Sequence, residues 1–165
     1  MAKKIKKKET AEVDVTLAET HSTVQCEDIR LITSSLKPLL VDEKRDTSTR
    51  FAFRVRATVE GQKAFSYLEV KVNYFFKEEL EDLQGFNLSY VLMGTFTTET
   101  LLPSQDFAHF VKMYTVSILW PYAREYASDQ FRRAGNHDIV LPIINPQVVT
   151  EHIVENNLVE ITIIE

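Results

Sequence analysis

The most regular stretch of the chain runs from Arg50 to Glu60. Phe51, Phe53, Val55, Ala57 and Val59 fall on one side of an extended backbone, and Arg54, Arg56, Thr58 and Glu60 on the other. A period of two marks a strand with one face buried and one in water. Gly61-Gln62 then offers a turn, and 64–77 alternates again. Leu68, Val70, Val72, Tyr74 and Phe76 read inward there; Tyr67, Glu69, Lys71 and Asn73 read outward. After an acidic connector, "KEELEDLQG", the stretch 87–99 puts Leu88, Tyr90, Leu92 and Phe96 on one side. "IRLITSSLKPL" (29–39) is a fourth strand candidate with weaker alternation. Alternating strands joined by short turns predict an antiparallel sheet with one solvated face.

At "LLPSQDF" the period changes. Pro103 and Ser104 make a helix entry, with Ser104 as the expected N-cap. The pattern stays helical from Gln105 to Ala134 and stops at Gly135. Asp129 and Arg133 stand four apart in the favourable order. Two apolar stripes run along this helix. One contains Phe107, Phe110, Val111, Tyr114, Ile118 and Tyr122; the other contains Met113, Val116, Trp120, Ala127 and Phe131. A helix lying on one sheet needs a single stripe. Two stripes predict cover from both sides, and a second copy of the chain is the simplest second cover. Pro121, inside "SILWPYAREY", removes a backbone donor and clashes with the Ser117 carbonyl, which predicts a kink. Such a kink is expected to let the helix follow a twisted sheet and to turn Trp120 toward a second surface. Pro146 suits the first turn of a short helix over 146–156. The last eight residues, "LVEITIIE", are β-prone and could extend that helix, add an edge strand or dock on a partner. Residues 11–26 tolerate either strand or helix.

Length and composition fit one folded domain: 165 residues, 44% hydrophobic and 26% charged, with only four glycines. Five lysines and one glutamate sit in "MAKKIKKKE"; the rest holds 14 basic against 23 acidic residues, a net of −9. An acidic body argues against nucleic-acid binding by the fold, and the lysine arm reads as a solvated tail. No apolar run approaches the roughly 18 residues that span a bilayer. The basic start lacks a following apolar segment, which argues against a secretory signal and, with the single Cys26, for a reduced cytoplasmic setting. His21, His109, His137 and His152 are scattered without metal-ligand spacing, so no metal is expected. Cys26 shows no partnering base and third orienting group, and four isolated glycines make no phosphate loop. These observations predict a protein that is not an enzyme and needs no cofactor. The surplus is apolar: aromatic and aliphatic side chains exceed what one small core needs.

"ILWPYARE" (118–125), then "RRAG", then "LPIINP" (141–146), with "GTF" (94–96) upstream and "RLIT" (30–33) at the first strand, resembles the SecB family of export chaperones over residues 29–156. The resemblance implies an α+β fold: a four-stranded antiparallel sheet with one long kinked helix and a short C-terminal helix packed on one face. It divides the chain into a basic extension (1–28, partly disordered), a SecB-like domain (29–156) and a β-prone tail (157–165). It further implies a homotetramer, built as a dimer of dimers, that holds unfolded or precursor polypeptide in apolar grooves without nucleotide. Clients are then passed to the SecA motor, with no direct membrane insertion. The expected client-binding and assembly residues are Phe107, Tyr114, Leu119, Trp120, Tyr122, Leu141 and Ile143. Leu80 and Asp82 match a motor contact of the family. Ser35 and Leu39 stand where the family carries acidic residues for SecA, a departure that bears on the hand-off. Two alternatives accompany the export-holdase reading: a SecB-like chaperone dedicated to a few clients such as an antitoxin, and a closed domain for a hydrophobic small molecule or lipid.

Overall fold

A computed structural model describes residues 23–37, 47–76, 88–135, 140–156 and 159–164. Its strands are β1 (Val24–Leu36), β2 (Thr47–Glu60), β3 (Lys63–Phe76), β4 (Leu88–Thr98) and β5 (Val159–Ile164). Its helices are α1 (Ser104–Arg133) and α2 (Pro146–Glu155). The sheet order is β1-β4-β3-β2-β5. β2 and β3 form an unbroken antiparallel hairpin from Thr47↔Phe76 to Glu60↔Lys63. Its two-residue turn needs Gly61, whose φ of +56° lies in the left-handed region. The Thr98 amide bonds the Gln62 carbonyl at 3.1 Å and ties the end of β4 to that turn.

The four-stranded antiparallel expectation is corrected by β5. This strand pairs in parallel with β2, from Val55↔Val159 to Glu60↔Ile164, so the sheet has five strands and is mixed. The physical reason lies in its own alternation. Val159 and Ile161 are half-buried against the core, Glu160 and Thr162 face water, and the edge of β2 over Val55–Glu60 supplies the backbone partners. β1 starts at Val24, so Val24 and Cys26 join the sheet ahead of the stretch 29–39. It pairs antiparallel with β4 through two register shifts, at Cys26/Asp28 and Leu31/Thr33, which explains its weak alternation.

The core forms where the inward rows of β2, β3 and β4 meet α1. Val55, Leu68, Val70, Val72, Leu88 and Tyr90 pack with Val116, Leu119, Trp120 and Ala123 in one cluster. Val59, Ala64 and Phe96 pack with Phe107 and Val111 in another. On α1 most of the buried residues follow one row at spacing four, Phe107, Val111, Thr115, Leu119, Ala123, Ala127 and Phe131, with Ala108, Val116 and Trp120 buried beside it. Thr115 sits in this row because its hydroxyl donates to the Val111 carbonyl at 2.6 Å and receives the Ser66 hydroxyl at 2.7 Å. Gly94 lets the helix come close: a Cβ there would lie 3.0 Å from Leu119 Cδ2. Pro103, not Ser104, occupies the N-cap, and Asp106 and Phe107 donate their amides to its carbonyl. Gly135 follows the C-cap with φ +86°. Asp129 and Arg133 make the expected pair at 2.8 Å.

Candidate functional site

An open groove of about 380 Å³ lies between β2 and α2. Phe51, Phe53 and Val55 form its floor, Val148, Val149 and His152 its wall, and Arg54 stands at its rim. The floor is apolar because these are inward positions of β2; Phe51 and Phe53 lie beyond the stretch that β5 pairs, and Val55 is where that pairing begins. Trp120 underlies it. Its ring centroid lies 5.7 Å from those of both Phe51 and Phe53, in tilted contacts that favour aromatic pairs.

Three hydrogen bonds hold the opposite wall on α1. The Trp120 indole Nε1 donates to the Pro142 carbonyl at 3.2 Å, and Arg124 Nε to the Leu141 carbonyl at 3.0 Å. The Thr150 hydroxyl donates to the Met113 carbonyl at 3.2 Å. The loop and α2 are therefore anchored to α1, and the gap toward β2 stays open. Val140, Ile143 and Val148 project from this anchored segment, with Ile143 84% exposed.

A second apolar surface lies along the other side of α1. Phe110, Tyr114, Ile118 and Tyr122 form another row at spacing four, half-buried or exposed, and the Phe110 and Tyr114 rings are 4.5 Å apart. Open cavities of about 280 and 310 Å³ separate Tyr122 and Ile118 from Ile29 and Cys26 of β1. Leu31 and Ile32 are exposed further along β1. The solvent face of the sheet is polar. Arg50, Arg54 and Arg56 are exposed on β2, and on β3 Lys71 bonds Glu69 at 2.9 Å. That bond, reinforced by Arg54 and Arg56, holds the Glu69 carboxyl below the usual carboxylate range. Arg30 pairs with Asp28 on β1.

The expected site residues divide in two. Tyr114, Tyr122 and Ile143 are exposed, the two tyrosines on the second surface and Ile143 beside the groove. Phe107, Leu119, Trp120 and Leu141 are buried inside the protomer. Trp120, expected to turn toward a second surface, is only 3% exposed: it flanks the inner row at Leu119 and faces the sheet. α1 continues as one helix through Pro121, which is itself exposed. Leu80, Asp82 and Leu39 lie outside the described residues, while Ser35 is exposed opposite Ser89. Sequence reading placed Phe51 and Phe53 inward but did not make them groove residues; the signal was two large aromatics at the start of a strand. Among the described residues no group of His, Cys, Asp or Glu is placed to hold a metal. No described helix is long and apolar enough to cross a membrane.

The site is thus an open apolar groove between a strand and an anchored helix, on a sheet whose helical layer lies on one side. The model of the family described as preprotein translocase subunit SecB matches residues 33–154, and the chain belongs to the SecB family. The fold is also similar to that of a Mycobacterium tuberculosis SecB-like chaperone, solved in complex with a ChAD peptide from the HigA1 antitoxin. The TM-score is 0.61 at 15% identity, over 74% of this chain and 91% of that one. Among curated proteins no sequence match is found.

Proposed function

We propose that this protein is a cytoplasmic, nucleotide-independent holdase that binds unfolded polypeptide, including secretory precursors, in the groove between β2 and α2. The observation that carries the reading is the groove itself: an aromatic floor on a strand, an apolar wall, and one open side. Openness favours an extended chain over a small molecule or lipid, which would need enclosure. Each large apolar side chain buried contributes about 1.5–3 kcal/mol, so three of them give about 5–9 kcal/mol before ordering costs. Association alone costs about 4–15 kcal/mol, so one groove holds a client weakly. Several grooves on one assembly raise the effective affinity, which gives the homotetramer a physical purpose. The row Phe110, Tyr114, Ile118 and Tyr122, with Leu31 and Ile32, is the proposed assembly surface. Binding only unfolded chains shifts folding by mass action, and no catalysis is required.

A narrower client range is a second reading. Ser35 is not acidic where the family meets SecA, and the similar mycobacterial structure carries an antitoxin peptide. The test is aggregation of a chemically unfolded reporter protein, followed by light scattering, with wild type and Val148→Glu. Val148 is 58% exposed in the groove wall, so the variant should keep its melting temperature and lose most of its suppression. Wild-type protein that leaves scattering unchanged for several reporters would end the general reading. Capture of SecA by the immobilised protein distinguishes export from a dedicated client.

A further inference from the structure

The outer face of the sheet is built on charge, not on apolar surface. Arg50, Arg54 and Arg56 stand in the outer row of β2 and are exposed. Across the ladder they face Asn73, Glu69 and Tyr67 of β3. Glu69 is already bonded to Lys71 at 2.9 Å, and Lys63 lies 5.3 Å from the centre of the Phe65 ring. On the other side of β2, Glu160 of β5 stands opposite Arg56. Among the described residues no hydrogen bond or ion pair joins any of the three guanidinium groups to a carboxylate. Two open hollows lie along this row. One, of about 350 Å³, has Arg56, Thr58 and Tyr67 on one side and Glu160 and Thr162 on the other, so β5 forms its wall. The second, of about 240 Å³, lies by Ala52, Arg54, Glu69 and Lys71.

We propose that the outer face of β2, β3 and β5 docks an acidic segment of a partner protein, with its carboxylates on Arg50, Arg54 and Arg56 and one aromatic side chain in the hollow beside Tyr67. A planar guanidinium that lacks a carboxylate of its own suits one from outside, which it can hold by two parallel hydrogen bonds. A single exposed ion pair adds little, so the three arginines have to act together and with the hollow. From Arg50 to Arg56 the row spans about 20 Å at about 3.3 Å per residue, within reach of one short segment. Charge favours such a segment over a nucleic acid. Outside the lysine arm the chain carries a net of −9, so a long polyanion running past this face meets repulsion. A segment confined to the row feels mainly the arginines, because screening limits its reach to about 8 Å. The assembly row proposed on α1 belongs to the opposite side of the sheet, so this face stays uncovered in an assembly.

The probe is a rhodamine-labelled dodecapeptide of glutamate and aspartate with a central tyrosine, titrated with the full chain by fluorescence anisotropy at low salt. Replacing its acids by glutamine and asparagine should weaken binding about tenfold or more, and so should about 0.5 M salt. Arg50→Glu with Arg56→Glu should cost about tenfold. Arg132→Glu with Arg133→Glu makes the same change of charge at the exposed end of α1 and should alter affinity less than about twofold. Thermal melting checks that both pairs fold; Arg50→Gln with Arg56→Gln, expected to cost about threefold, replaces the reversal if that pair does not. Val148→Glu, in the groove wall, should leave peptide affinity unchanged, so this surface and the holdase reading stand or fall separately. Equal losses in the two charge-reversal pairs would mean attraction by overall charge and would overturn the docking surface. Wild-type protein that leaves the anisotropy unchanged would overturn it too. So would a single-stranded oligonucleotide of equal charge that binds more tightly than the peptide and is lost with Arg50 and Arg56.

Discussion

Removing the Trp120 ring should destabilise the protomer before it alters any surface. The side chain is 3% exposed, its ring meets Phe51 and Phe53 at 5.7 Å, and its indole N–H bonds the Pro142 carbonyl at 3.2 Å. Trp120→Ala removes the largest filler between β2 and α1 and leaves that carbonyl without its donor. Truncating a buried aromatic costs about 3–5 kcal/mol. For a domain of this size each kcal/mol lowers Tm by about 2–4 °C, so a fall of roughly 6–20 °C is expected. Trp120→Phe keeps a ring under the groove floor and loses the hydrogen bond, for about 1–2 kcal/mol and roughly 2–8 °C. Differential scanning calorimetry measures both. Because Trp120 is the only tryptophan, intrinsic fluorescence reports its surroundings without ambiguity. Its emission should be blue-shifted in the native state and little altered by a bound client, since two phenylalanines separate it from the groove. A Tm for Trp120→Ala within about 2 °C of wild type would refute the packing argument. Strong quenching by a client peptide would show that the ring lines the groove and does not lie beneath it.

Gly94→Ala should cost about 1–3 kcal/mol in urea unfolding, because the new Cβ would lie 3.0 Å from Leu119 Cδ2 and 3.0 Å from Phe96 Cε2. Combining it with Leu119→Ala should recover part of that loss relative to the sum of the single changes. Tyr90 is buried and donates its hydroxyl to the Ala123 carbonyl at 2.7 Å; burial chiefly, and Tyr126 secondarily, push its phenol well above its usual range. The unfolded chain therefore releases this proton first, near pH 10, so stability is full below that pH and falls above it; Tyr90→Phe should remove that alkaline loss in pH-dependent melting. Burial likewise raises the Cys26 thiol, and its Sγ approaches the Asp28 carbonyl at 3.7 Å. Its alkylation by iodoacetamide at neutral pH should be slower than that of a free thiol, and a faster rate would contradict this environment.

The inward rows of β2, β3 and β4 were readable because alternation at a period of two leaves one choice of face once a core lies on one side only. Val55, Leu68, Val70, Tyr90 and Leu92 are buried as that rule requires. β1 was less legible, since its two register shifts break the alternation at Asp28 and Thr33. The helix was readable in extent but not in facing. Met113, Val116 and Trp120 share an apolar character with Tyr114, Ile118 and Tyr122, and hydrophobicity does not say which row meets the sheet. Thr115, a polar residue, marks the inner row instead, because Ser66 across the interface completes its hydrogen bonding. β5 escaped a definite assignment because six residues carry too little period to separate a strand from a tail. Only the edge left open by β2 decides the matter.

Groove and edge have one origin. β5 is shorter than β2 by eight residues, and α2 faces the unpaired part of β2 across the groove. Had β5 paired all of β2, Phe51 and Phe53 would be covered by the chain itself and the edge would be closed. The anchored loop prevents α2 from collapsing onto the gap, because the Trp120 and Arg124 hydrogen bonds to Pro142 and Leu141 fix it on α1. An apolar trough can persist in water only if neighbouring elements are held apart by contacts stronger than the gain from closing it. Here a single side chain, Trp120, supports the floor through its ring and the wall through its N–H.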